Sequence, residues 1–268
     1  MDNFVDWVRE LSDGAFNGVS TPIIIAMSVV AGLLIIASAF AFGVSICLAI
    51  KYVKYNRKKN SSGKTGEQIA RDILDRNGLG NIKVSATGSI LFGNSYSHYF
   101  KKVRLRRLTW KKSSVSSLAM AAQKSALAVL DKEGDKDMKA RVKMTPLIYF
   151  GPVAFVPLVV IGALLDALVV RNASGTCTFV LTCIASLIYV LSFVMSILVL
   201  KTEKKAQKRA YDIMKAAGLA TEEELEDCKK LFKLYNIEYV NDMVIALLEL
   251  IYRVLQIIAY VQNNSSSS

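Results

Sequence analysis

The sequence predicts an α-helical integral membrane protein that carries a small cytoplasmic α+β domain. Three observations predict it. Residues 14–50, 144–165 and 172–200 contain no charged side chain. Each run reaches the roughly 20 residues that a helix needs to cross the hydrocarbon core of a bilayer, and a chain of 268 residues cannot enclose three such helices in soluble protein. The charge is also segregated: all 34 Lys+Arg and 22 Asp+Glu lie outside the three apolar runs, in a chain that is 53% hydrophobic with mean hydropathy +0.35.

The first 22 residues read as an extracytoplasmic segment. They hold Asp2, Asp6, Glu10 and Asp13 against the single Arg9, the wrong sign for the n-region of a cleaved signal. The first span, 23–50, is therefore expected to be retained. Lys51, Lys54, Arg57, Lys58 and Lys59 follow it, and Lys201, Lys204, Lys205, Lys208 and Arg209 follow the span at 176–200. The short connection at 171–175 holds only Arg171. Basic residues concentrate on the cytoplasmic side of membrane proteins. The expected topology is the N-terminus outside, 51–144 inside, 171–175 outside and 201–240 inside.

Residues 51–144 hold 22 Lys+Arg against 7 Asp+Glu, a net charge of +15. Positive-inside bias accounts for this charge, and nucleic acid is not an expected partner. Anionic headgroups are expected near 51–59 and 201–209, since each basic residue close to such a surface is worth about 1 kcal/mol. Within this domain a Lys/Asn/Ser-rich linker, 57–64, precedes a helix start. Thr65 caps, and Gln68 three residues on completes a capping box. Ile69, Ile73 and Leu74 form the apolar stripe, and Asn77-Gly78 supplies the stop. Strand-like runs follow at 81–86, 89–92 and 99–107, the last alternating Val103 and Leu105 with basic residues, which suggests a small hairpin. Residues 113–131 read as an Ala-rich helix.

The second span, 145–170, contains Pro152 and Pro157, which predict a kinked or broken helix. After the third span, helices are expected over 201–240, one at 203–216 and another begun by Thr221 before Glu222-Glu223-Glu224, where acid suits the helix macrodipole. A C-terminal hydrophobic helix, 241–261, is a candidate fourth span. It is interrupted by Glu249 and Arg253, which stand one turn apart and are placed to pair. Cys47, Cys177, Cys183 and Cys228 make no metal-binding spacing. Cys177 and Cys183 are read as thiols in preference to an outer-face disulfide, and Asn172-Ala-Ser174 is a glycosylation sequon too near the membrane to carry weight. Gly63-Lys64-Thr65 imitates the end of a phosphate-binding loop, but Lys58 stands where the loop needs glycine.

The order of these parts, and the run Ser62-Gly-Lys-Thr-Gly-Glu-Gln-Ile-Ala-Arg-Asp-Ile-Leu-Asp-Arg-Asn-Gly-Leu79, resemble the YugP-like membrane zinc metallopeptidases, which read approximately S-G-x-T-G-x-x-x-A-x-x-I-L-x-x-N-G-L there. The resemblance continues through Ile82-Lys-Val84 to His98-Tyr99, similar to that family's D-H-Y-D-P stretch, and covers most of 20–260. It implies a metallopeptidase-like core helix at 113–131. In such enzymes two His one turn apart in H-E-x-x-H bind zinc and the Glu between them activates a water. The equivalent stretch here is Ala121-Ala122-Gln123-Lys124-Ser125-Ala126-Leu127-Ala128. By this resemblance Gln123 stands for the first His, Lys124 for the general base and Leu127 for the second His, while Glu203 matches the third ligand.

The residues give the same answer without the family. His98 is the single histidine, so neither H-E-x-x-H nor a three-His site can be built, and His98 is read as a structural neighbour of Tyr99. Ser125 beside Lys124 makes no nucleophile–base pair, because adjacent helical residues point apart. No catalytic, cofactor-binding or metal-ligating residue is assigned, and Gln123, Lys124, Leu127 and Glu203 are the positions of a degenerate site. Lys124 is expected either to reach Glu203 in place of a metal or to face solvent. The expected function is that of a catalytically inactive homologue, a membrane-anchored binding, scaffold or regulatory subunit with another membrane or cytoplasmic protein as partner. An active membrane metallopeptidase or a small transport-related membrane protein is the alternative.

Overall fold

A computed structural model describes residues 19–88, 93–170 and 175–266. Most of the acidic N-terminal segment, the strand-like run at 89–92 and the sequon at 172–174 lie outside the described residues. The described chain is mostly helical with one small sheet, and it divides into two units.

One unit comprises Phe42–Met144 and Ile197–Val240. It takes in the C-terminal part of helix α1 (Thr21–Arg57), then α2 (Gly66–Arg76), strands β1 (Lys83–Thr87), β2 (Ser95–Ser97) and β3 (Lys102–Arg106), and helices α3 (Arg107–Lys111) and α4 (Val115–Glu133). The start of α2 is built as expected. The Thr65 side chain accepts from the Gln68 amide while the Gln68 side chain accepts from the Thr65 amide, and Gly78 takes φ 64° after the last turn. Ile69, Ala70, Ile73 and Leu74 form its fully buried face.

The sheet has the order β1-β3-β2. β3 pairs antiparallel with β2, a hairpin whose first strand falls between the strand-like runs read at 89–92 and 99–107, and parallel with β1, which sequence pattern does not specify. Val103 and Leu105 point one way into the core. Above them lies α4, capped by Ser114 at its start and stopped by Gly134 at φ 74°. Every residue of α4 from Val115 to Leu130 is buried, so it is the central helix of this unit. Ala119, Ala121, Ala122, Ala126 and Ala128 let neighbouring backbones come close on several sides of it.

Helices α5 (Lys136–Leu164), α6 (Thr176–Ala216) and α7 (Glu222–Ser266) contribute their charged ends to this unit. The expected separate helix at 203–216 is the uninterrupted continuation of the third span, with Ala206, Ala210 and Met214 as its buried stripe. Thr221 caps α7 reciprocally with Glu224, whose two carboxylate oxygens also accept the Ser61 amide and hydroxyl, each at 2.6 Å.

The other unit comprises Met1–Ala41, Thr145–Ser196 and Asn241–Ser268. Thr21–Arg57, Lys136–Val169, Thr176–Ala216 and Glu222–Asn263 are four helices long and apolar enough to cross a membrane. They keep large apolar side chains exposed, such as Ile35, Phe42, Phe150, Val169, Leu187 and Val254, as lipid contact requires. Pro152 and Pro157 do not break α5: helical structure runs through both and changes to a π-helical segment, Leu165–Val170. Within it Asp166 accepts the Cys177 and Thr178 amides and the Thr178 hydroxyl, so it satisfies the first turn of α6. All four cysteines are free. Glu249 and Arg253 do not pair as expected. Glu249 accepts the Tyr189 hydroxyl at 2.7 Å, and the Arg253 guanidinium lies over the rings of Phe155 at 3.8 Å and Tyr189 at 5.4 Å.

Candidate functional site

The central helix α4 presents Gln123 and Lys124 on one side, and both are buried, at 2% and 6% exposure. Facing them is Glu203, three residues past the apolar run of α6 and only 2% exposed. Gln123 Nε2 and Lys124 Nζ each donate to Glu203 Oε2 at 2.8 Å. Arg141, on α5 shortly before its apolar run, donates to Glu203 Oε1 at 3.0 Å and to Thr202 Oγ1 at 2.7 Å. Three helices therefore meet on one carboxylate with both oxygens occupied. Burial pushes the Glu203 carboxyl up, but the charges and hydrogen bonds of Lys124 and Arg141 outweigh it and hold the group below the usual glutamate range.

Of the four positions singled out by sequence, Gln123, Lys124 and Glu203 come together. Leu127, one turn along α4 and 1% exposed, belongs to the hydrophobic core. Arg141 is the member that the sequence reading passed over. A buried carboxylate is costly unless its charge is well compensated, and the cationic turn just ahead of the second span was the signal that could have found it.

Zinc takes imidazole nitrogen, thiolate sulfur or carboxylate oxygen. Here an amide and an ammonium donate toward the carboxylate, and a leucine occupies the next turn, so these residues do not fit a zinc ion. Among the described residues, no three His, Cys, Asp or Glu stand together in a metal-holding group.

His98 serves elsewhere. Its Nδ1 lies 2.5 Å from Asp131 Oδ2, which also accepts the Tyr96 hydroxyl at 2.6 Å, so the ring ties the hairpin to α4. It meets Tyr99 edge to face at 5.6 Å. Lys64 pairs with Asp72 on α2. Ser125 turns away from Lys124 toward the Ala70 carbonyl. Cys228 is no nucleophile: burial, helped by Glu224 and Asp227, pushes its thiol up to about 12.

A cavity of about 420 Å³ adjoins Gln123 and Lys124, lined also by Tyr52, Arg106, Met120, Tyr235 and Glu238. Its walls mix aromatic faces with both signs of charge, which suits a ligand with alternating polar and apolar groups.

A family described as "Putative neutral zinc metallopeptidase" matches residues 30–258. A protein of Bacillus subtilis (strain 168) described as "Putative membrane protease YugP" is 25% identical over 219 residues, covering 82% of this chain and 92% of that protein. No solved structure matches. The four long apolar helices and the likeness to a membrane protease make this chain a multi-pass membrane protein.

Proposed function

Because the chain belongs to this family of neutral zinc metallopeptidases, we propose that it is a pseudopeptidase: a homologue without hydrolytic chemistry, kept as a membrane-anchored binding, scaffold or regulatory subunit. One observation carries the proposal. Lys124 Nζ sits 2.8 Å from Glu203 Oε2, so a cationic side chain meets the carboxylate that the resemblance sets at the third-ligand position. Zinc hydrolysis needs a metal-activated water and a base to receive its proton. Lys124 is committed to Glu203 as a hydrogen-bond donor, and Leu127 offers no ligand atom. The adjoining cavity is the place where a peptide-like segment of a partner would be held without being cut.

The same reading orients the protein. The basic segment 51–144 and residues 201–240 face the cytoplasm, the N-terminus and 171–175 face outward, and 241–261 crosses the bilayer as a fourth span. The basic ends after 50 and after 200 then lie against anionic headgroups.

The test is purification of the full chain in mild detergent, with metal analysis, a protease assay and identification of co-purifying proteins. The expected result is a folded protein with far less than one zinc per chain, no chelator-sensitive proteolysis, and a stoichiometric protein partner. One zinc per chain with chelator-sensitive cleavage overturns the proposal.

A further inference from the structure

Arg253 is the outstanding polar feature of the membrane-embedded unit. It sits near the middle of the apolar run 243–261 of α7. Ionisable groups inside a bilayer are costly, and they persist where they face protein, find a partner or serve a ligand. Glu249 is engaged by Tyr189, and among the described residues Arg253 has no carboxylate partner. Its Nε is buried without a hydrogen-bond acceptor. The faces of Phe155 and Tyr189 hold the cation by their π-electrons. Rings stabilise the charge but give Nε no acceptor.

The guanidinium borders a cavity of about 150 Å³ lined by Phe155, Thr178, Phe179, Arg253, Ile257 and Tyr260, together with Thr182 and Gln256. No carboxylate lines it. Thr178 and Thr182 spend their hydroxyl protons on Asp166 and on the Thr178 carbonyl, so Arg253 is the charged donor lining the space, beside the neutral Gln256 and Tyr260. The walls are aromatic, with Phe179 stacked on Tyr260 at 5.9 Å. Gln256 and Tyr260 at the rim are exposed, and Val254, Ile258 and Val180 on the same helices present apolar side chains outward. At roughly 30 Å³ per water, the cavity has room for one oxyanion and a short length of chain.

We propose that Arg253 anchors an intramembrane site for the oxyanion of a single acidic amphiphile, a lipid whose carboxylate or phosphate meets the guanidinium while its chain leaves along the apolar helix faces. A cation stacked between rings, an unmet buried donor, a cavity without competing carboxylates and an apolar exit are the requirements of such a ligand. The bilayer supplies it to this surface directly. The inference stands apart from the peptidase question, since it uses none of the residues around Glu203.

The test is native mass spectrometry of the full chain in detergent, titrated with oleate, phosphatidylglycerol or phosphatidylcholine. The expected result is one retained acidic lipid per chain, bound at least tenfold more weakly by Arg253→Gln and by Thr182→Leu, which fills the cavity and keeps the cation. Lys233→Gln, at an exposed position outside both headgroup-facing basic stretches, should bind like wild type. Preference for oleate identifies a fatty-acid carboxylate, and preference for phosphatidylglycerol identifies a phospholipid phosphate. Equal binding by wild type and both cavity variants overturns the proposal. So does an Arg253-dependent protein complex that retains no lipid, because a carboxylate on a partner helix would then be the true occupant.

Discussion

At the scale of the residue, Glu203 is where sequence change and structure meet. It is 2% exposed, with an amide, an ammonium and a guanidinium on its two oxygens. Breaking a buried pair by removing one partner costs about 3–5 kcal/mol. Lys124→Glu, which sets two carboxylates against each other, is expected to lower the midpoint of thermal unfolding in detergent strongly, while Lys124→Met is expected to cost less. A double-mutant cycle between Lys124 and Glu203 should give a coupling above about 1 kcal/mol, because contacting charges are not additive; additive effects would mean that the pair does not form. The pH dependence has a defined sign. The folded Glu203 carboxyl is held below its ordinary value of 4.5, so it binds fewer protons folded than unfolded. Its contribution is present above that value and is lost as pH falls through the folded value. The stability gap between wild type and Glu203→Gln should therefore be constant near neutrality and close progressively below about pH 4.5, as followed by unfolding midpoints across pH. Gln123 and Lys124 were singled out from the sequence by the family resemblance, through the alanines that flank them. Arg141 was legible only as a cation just ahead of the second span, since nothing in that turn says that its partner will be residue 203.

At the scale of the element, local rules were read well and packing was not. The Thr65–Gln68 box, the stop at Gly78 and the Thr221 cap follow from side chains within three or four residues of each other, which is why sequence alone finds them. Pro152 and Pro157 show the converse. A proline removes one helical hydrogen bond and crowds the preceding turn, but neighbouring helices can compensate inside a membrane, and α5 continues through both. What those neighbours demand instead is close approach. A Cβ on Gly162 would lie 2.7 Å from the Thr178 Cα, and one on Gly151 would meet the Ser192 side chain, whereas Gly32 and Gly43 have nothing within 4 Å. Small residues at helix contacts let backbones approach in bilayers. Gly162→Ala is expected to lower the unfolding midpoint in detergent, and Gly32→Ala to leave it unchanged or slightly raised; equal effects would deny the α5–α6 contact.

At the scale of the whole molecule, the distribution of charge yields a prediction about orientation. In a chain stripped of its four native cysteines, a cysteine introduced at Asn172 should react with a membrane-impermeant maleimide on intact cells. One introduced at Lys111 should react only after permeabilisation. The reverse pattern would invert the proposed topology. The sequence by itself determined that the chain enters the membrane, where its apolar runs lie and that a single histidine leaves no H-E-x-x-H motif, because these depend on composition and on spacing along one helix. Only the tertiary structure decided that Arg141 joins Lys124 on Glu203, that Glu249 and Arg253 part company, and that β1 lies parallel to β3. Each of these is a choice of partner between segments far apart in the chain, settled by the cost of burying a charge or a backbone group without one.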